Sequence, residues 1–286
     1  GLMNGYTHPQ FIVPIQIKSR LNNFKDLEPF ICATKSLRNL GVKEIHLYTP
    51  YFLGSRSDRK FEEGSNNYLK DIICPIINSL KFDLVTVMDP HSDVLEACLN
   101  NFKKVDNKKL VEFGLSQIYY NEPYKDISIR NNFKDFILIS PDAGANKKIF
   151  KIAEQIGYRG DIITCSKSRD ENGQLSHVEV PINGEHVQND IIIIDDICDG
   201  GATFINIAKK IKEYTQEMKY HEENCDLKYG KIYLIITHGI FSKGLKELNK
   251  YFDGIYCTNS YVDMEDDNFS LVNDKHLHKL KQLNVF

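Results

Sequence analysis

This sequence lacks a dominant charge. Its 36 Lys and Arg residues nearly balance its 39 Asp and Glu, leaving a formal net charge of −3. Such a balance excludes a global attraction to nucleic acid or to anionic membranes, so basic residues must act locally. Paired cysteines are missing too. Cys32, Cys74, Cys98, Cys165, Cys198, Cys225 and Cys257 are scattered and odd in number, with no C-x-x-C spacing. That pattern excludes a disulfide framework and a zinc finger and leaves reduced, packed thiols. No apolar run approaches the ~20 residues of a membrane span, and the start, GLMNGYTHPQ, does not read as a signal peptide. The expected location is the cytoplasm.

What is present is enough apolar material for real cores. The chain is 42% hydrophobic and 26% charged, and its 286 residues suit two domains. Apolar runs alternate with helical spacing along it. Strands are expected at 11–15, 42–48 and 82–88, with helices over 26–40, 67–80 and 94–102. The pattern restarts with strands at 136–139 and 161–164 around a helix at 147–156. It continues with strands at 191–194, 232–237 and 254–257. Such alternation implies βαβ units and mainly parallel sheets flanked by helices, an α/β fold. The segment SKSRDENGQL, after the 161–164 strand, reads as a polar loop.

One stretch organises the rest. Asn189 to Asn206 reads NDIIIIDDICDGGATFIN: four isoleucines for a strand covered on both faces, an acidic pair, a small-residue turn and then a helix. Ligands of open α/β sheets sit beyond the carboxyl ends of strands, where a following helix offers free N–H groups. Gly200 and Gly201 let the backbone approach an anion, Ala202 is small, and Thr203 adds a hydroxyl. Asp195 and Asp196 would repel phosphate and suit sugar hydroxyls or a hydrated metal. A sugar phosphate satisfies both halves; an ordinary turn with solvated acids is the plainer alternative.

Other polar clusters also follow strands. Arg56-Ser57-Asp58-Arg59 carries two guanidinium groups shaped for phosphate oxygens, although charged surface turns commonly look the same. His91, in MDPHSD, and Asp142, in SPDAG, are too few ligands for a closed zinc site. They suit Mg²⁺, which keeps waters and takes oxygens from a nucleotide. Lys167 and Arg169, two apart, would set two cations over one ligand, or be a solvated basic loop. No Ser-His-Asp arrangement is visible.

In order, PYFLGSRSDRKF, MDPHSD, SPDAGANKK, SKSR, IIIIDDICDGGAT and THGIF-S resemble the signature segments of the phosphoribosyl pyrophosphate synthetases (ribose-phosphate pyrophosphokinases). DDICDGGAT resembles the phosphoribosyl-binding loop of the type I phosphoribosyltransferase fold. The resemblance runs from about Ile12 to the end, without the family's usual aromatic and acidic segment before Phe11. It implies two tandem phosphoribosyltransferase-like domains, 1–127 and 128–286. It implies ATP on Arg56, Asp58 and Arg59, Mg²⁺ on His91 and Asp142, and catalysis by Lys167 and Arg169. The acceptor ribose would lie on Asp195 and Asp196, its 5-phosphate on Asp199, Gly200, Gly201, Ala202 and Thr203. The implied reaction moves the β,γ-diphosphate of ATP to the anomeric hydroxyl of a 5-phosphoribosyl acceptor. Gly200 replaces the family's usual hydroxyl residue and opens the loop. An acceptor extended at that phosphate would fit, as for phage-type relatives that pyrophosphorylate ADP-ribose for rebuilding NAD. ADP-ribose is therefore placed narrowly ahead of ribose 5-phosphate, and a phage-encoded chain would work in the host cytoplasm. The family implies a homo-oligomer, dimer or hexamer, acting on small molecules, with no nucleic acid or membrane partner. A phosphoribosyltransferase, or a non-catalytic regulatory homologue, remains the competing reading.

Overall fold

The structure, a computed structural model, describes residues 13–60, 62–120, 136–169, 175–221, 228–264 and 279–286. It forms two compact units, one running to Asp106 and taking in Phe286, the other Asn107–Val285.

The first unit is built on β1 (Ile15–Lys18), β2 (Ile45–Tyr48), β3 (Leu84–Met88) and β4 (Phe102–Val105). These strands lie side by side in chain order, all parallel. Helix α1 (Leu27–Asn39) buries Leu27, Phe30 and Thr34. Its approach is fixed by a reciprocal cap, in which Lys25 N donates to the Asn23 side chain and Asn23 N donates to the Asp26 carboxylate. The helix expected over 67–80 is a π turn, Tyr68–Ile73, running into α2 (Cys74–Ser79). Pro75 has no N–H to return to the preceding turn, and the wide turn falls just before it.

The helix expected over 94–102 is shorter. Helix α3 (Val94–Cys98) stops where the Asn78 amide takes over the backbone, donating to Cys98 O at 2.9 Å and accepting from Asn100 N at 3.0 Å. Asn101 then adopts φ 55°, a conformation Asn tolerates, and the chain turns into β4, which the sequence reading missed.

The second unit is a six-stranded sheet, all parallel, in the order β12-β11-β10-β9-β5-β6. The strands are β5 (Phe136–Ser140), β6 (Ile162–Thr164), β9 (Asp190–Cys198), β10 (Ile232–Gly239), β11 (Gly254–Thr258) and β12 (Leu280–Leu283). The four isoleucines of β9 serve two cores. Ile191 and Ile193 join the cluster beneath α6 (Ala202–His221), and Ile192 and Ile194 join that beneath α5 (Asn146–Gln155) and α4 (Lys108–Tyr119). A strand with helices on both faces needs apolar residues at every position.

Other features differ from expectation as well. Strand β9 continues through Asp195 and Asp196 to Cys198 instead of ending at the acids. The start of the polar loop is a strand, β7 (Ser166–Arg169), paired antiparallel with β8 (Leu175–Glu179). The expected strand at 11–15 begins at Ile15, residues 11 and 12 lying outside the described residues. Helix α7 (Leu248–Tyr251) and β12 were not anticipated. The sequence boundary at 127 also lies outside the described residues; the contacts divide the chain ahead of α4, which packs on β10 and β11. That packing is close: a Cβ on Gly114 would come within 2.7 Å of Ile235 Cδ1.

Candidate active site

In the second unit the site is built at the carboxyl edge of the sheet. Strand β9 pairs with β10 as far as Cys198, but its pairing with β5 ends at Ile193. Beyond that point the diacid segment has a strand on one side only, and side chains take the place of the other.

Asp196 is buried, and its carboxylate pairs with the Lys148 ammonium from the first turn of α5. Asp195 is partly exposed and accepts the Asp196 N–H at 2.8 Å. Desolvation, and then the neighbouring Asp196 charge, push its pKa well above the ordinary carboxylate value; the Asp196 N–H and Lys148 oppose this without prevailing. The two acids thus differ, one paired with a lysine and the other inclined to keep a proton.

Asp142 opens the turn after β5. Its Oδ1 accepts Ala145 N at 3.0 Å, and its backbone carbonyl accepts the Ser140 hydroxyl at 2.8 Å. Lys167, from β7, pairs with its other oxygen. Burial alone would raise the Asp142 pKa, but the ammonium and the backbone N–H groups of Ala145 and Gly144 outweigh it and hold the carboxyl below the usual range. Next to this pair, Cys165 is buried. Desolvation, with a smaller contribution from Asp142, pushes its thiol up to about 12, so it is no nucleophile at neutral pH.

Residues 199–201 connect β9 to α6, whose first residues are 202 and 203, and Gly201 takes φ +77°, a left-handed conformation suited to glycine. A Cβ there would also meet Leu248 at 3.2 Å. Helix α6 begins at Ala202, so its first N–H groups face the end of the strand.

Among the residues proposed from sequence, the structure brings Asp142, Lys167, Asp195 and Asp196 to one edge of one sheet. Arg169 closes β7 by its backbone. Lys148 was missed, because a lysine in the first turn of a helix ordinarily reads as solvated. The signal was its place in SPDAGANKK, one position before the buried Ile149 and on a helix that follows a strand end.

In the first unit, Arg56 and Arg59 are exposed in the segment after β2, and Arg59 Nε lies 3.9 Å from Asp58 Oδ1. The segment is anchored by Ser57 N to Gly54 O (2.8 Å), Leu69 N to Ser57 O (3.1 Å) and Asn67 Nδ2 to Asp58 O (2.5 Å). His91 is exposed just beyond β3, after the buried Asp89, which takes φ 37° and donates its N–H to Val105 O at 2.7 Å. The ends of β2 and β3 are tied together through Thr49 N to Thr86 O (3.0 Å) and Met88 N to Pro50 O (3.1 Å). A cavity of about 260 Å³ beside Lys81, Asp83 and Asn101 opens at the opposite, amino-terminal ends of these strands. Among the described residues no three His, Cys, Asp or Glu side chains gather as a metal cluster.

No protein-family profile matches the chain. Individual proteins do. The ribose-phosphate pyrophosphokinase of Mycoplasmopsis pulmonis is 28% identical over 275 residues, 95% of this chain and 73% of that protein. That of Pyrococcus furiosus is 25% identical over 228 residues, 79% of this chain and 70% of its own length. Over most of its length the chain is similar to the ribose-phosphate pyrophosphokinases. The crystal structure of phosphoribosylpyrophosphate synthetase from Mycobacterium smegmatis superposes with a TM-score of 0.69, covering 94% of this chain and 77% of that one. At 16% identity this likeness speaks for the fold, the α/β architecture of parallel sheets expected from the family. Among the described residues no helix is long and apolar enough to cross a membrane.

Proposed function

We propose that the chain is a magnesium-dependent pyrophosphokinase that transfers the β,γ-diphosphate of ATP to the anomeric hydroxyl of a 5-phosphoribosyl acceptor. The observation that carries this reading is the edge of the second sheet. There, two carboxylates, one paired with a lysine and one inclined to a proton, lie with a second lysine beside a glycine turn and a helix N-terminus.

On this reading Asp195 and Asp196 receive the ribose 2- and 3-hydroxyls, and residues 199–203 receive the 5-phosphate. Lys148 pairs with Asp196, whose carboxylate accepts a sugar hydroxyl in a hydrogen bond. The anomeric oxygen forms its bond to the β-phosphorus, the bond from that phosphorus to the α,β-bridging oxygen breaks, AMP leaves, and the hydroxyl proton passes to solvent. Lys167 and Arg169 stabilise the charge developing on the transferred group and on AMP. Positioning supplies most of the rate, so no strong protein base is required.

Arg56, Asp58 and Arg59 are the ATP residues of this reading, and Asp142 and His91 its magnesium ligands. Asp142 fits a hard cation: its oxygens are the right donors, and an ammonium is already drawn to it. Magnesium, when bound, would neutralise phosphate oxygens of the triphosphate. The assembly is a homo-oligomer, as the family implies.

For the acceptor we favour ADP-ribose narrowly, because Gly200 puts no side chain of its own into the phosphate turn. The names of the relatives support ribose 5-phosphate as the second reading. Incubation of the pure protein with Mg·ATP and each acceptor separately, followed by mass spectrometry of products, tests both. ADP-ribose 1-pyrophosphate with AMP supports the preference. Phosphoribosyl pyrophosphate with ADP-ribose inert reverses it, and AMP from neither acceptor removes the proposal.

A further inference from the structure

The turn after β10 is fastened to the end of β9, immediately before the phosphate loop. Cys198 O, the last carbonyl of β9, accepts both Ile240 N at 2.9 Å and Phe241 N at 3.1 Å. Phe241 then takes φ +47°, Gly244 takes φ +70°, and Gly244 N closes the turn on Phe241 O at 2.7 Å. Phe241 and Leu245 are buried in the core beneath, so the turn is held from both sides. Between these fixed points stands Lys243, whose Cδ and Cε each lie 3.4 Å from where a Cβ on Gly200 would be.

The charges around the loop make this position informative. Asp142, Asp195, Asp196 and Asp199 gather at or beside the edge, and the two lysines within it, Lys148 and Lys167, are each committed to a carboxylate. A phosphoryl group entering 199–203 would bring more negative charge. It needs a cation that is not already spent. Lys243 is exposed, and among the described residues no hydrogen bond or ion pair engages its ammonium. Within 199–203 the sole hydroxyl is that of Thr203.

We propose that Lys243 is a specificity-determining residue of the acceptor site, its ammonium contacting the acceptor's 5-phosphoryl group in place of a hydroxyl side chain at position 200. This rests on the reading of 199–203 as the acceptor's phosphate loop. Lys243 selects acceptors by the negative charge on their 5-substituent, and a smaller residue at 200 is what lets its stem lie against the loop.

Wild type, Lys243→Met, Lys243→Arg and the double variant Lys243→Met/Gly200→Thr are compared. Gly200 does not have a left-handed φ, so threonine fits the backbone there. Acceptor and ATP KM are measured by AMP release, and binding of ribose 5-phosphate and of ADP-ribose by calorimetry. Lys243→Met raises acceptor KM and Kd about ten- to a hundredfold, the scale of one charge-assisted hydrogen bond, and leaves ATP KM and kcat unchanged. Lys243→Arg retains most of the affinity, and Gly200→Thr restores part of what Lys243→Met loses. An unchanged acceptor Kd in Lys243→Met, or a fall in kcat with KM intact, overturns the assignment. If wild type binds the acceptors but releases no AMP, the proposed reaction fails while the calorimetric comparison still decides the role of Lys243. If it binds neither acceptor, both fail.

Discussion

Replacing Lys148 by Met separates the stabilising part of the site from its chemistry. The Asp196 side chain is 6% exposed and that of Lys148 26% exposed, so the pair is buried at one end and wet at the other. Removing one partner of a buried ion pair costs about 3–5 kcal/mol, because the other charge is left uncompensated. The wet lysine end argues for the bottom of that range, about 3 kcal/mol. For a unit of this size each kcal/mol moves Tm by about 2–4 °C, so Lys148→Met lowers Tm by about 6–12 °C in scanning calorimetry. Asp196→Asn costs only about 1 kcal/mol, since the orphaned lysine reaches water and an amide still hydrogen-bonds. The double variant recovers much of the loss.

The deficit also depends on pH. Without Lys148 the buried Asp196 carboxylate has lost its cation, and a lone buried group carries its full cost only while it is charged. The penalty is therefore full at neutral pH and shrinks as acid protonates the group. A Tm drop below about 2 °C, or equal losses for Lys148→Met and Asp196→Asn, would refute the view that this lysine carries the buried charge.

Two further outcomes follow from the same physics. Asp195 has a raised pKa, so its ionised form works against the fold as pH rises through that value; Asp195→Asn raises Tm at pH 7–8, loses the gain in acid, and abolishes acceptor-dependent AMP release. Gly114→Val drives a side chain into Ile235 and loosens α4 from the second unit, lowering stability by about 1–3 kcal/mol in urea titration, and a neutral result would contradict the close packing.

The parts of the fold visible in the sequence are those where burial is two-sided. Four consecutive isoleucines admit few interpretations, and β5, β9 and β10 were placed because central parallel strands are apolar throughout. The edges were harder to read. In β4, FKKV, and β12, LKQL, a strand with one neighbour keeps its polar residues, and no apolar run betrays it. Helix α4 escaped notice because Asn107 makes no side-chain cap and Gly114 interrupts it, although that glycine is what admits Ile235. The same bias set the end of β9 too early: Asp195 and Asp196 break an apolar pattern while the ladder to β10 continues beneath them. For the site, the residue types and their order after strands singled out Asp142, Lys167 and the diacid as candidates. The pairing of Asp142 with Lys167, and of Asp196 with Lys148, depends on which faces of β7 and α5 turn toward the edge, which spacing alone does not fix.

Because the acids ride on the backbone of a central strand, hydrogen-bonded to β10 through Cys198, their spacing is a property of the resting protein. Those amide hydrogens of residues 195–198 that face β10 should exchange as slowly without ligand as with it. Redesign of the proposed acceptor site would therefore gain little from altering β9, whose register is locked. The adaptable parts are the two short turns at 199–203 and 240–244, where exchanging one residue reshapes the rim and leaves the sheet intact.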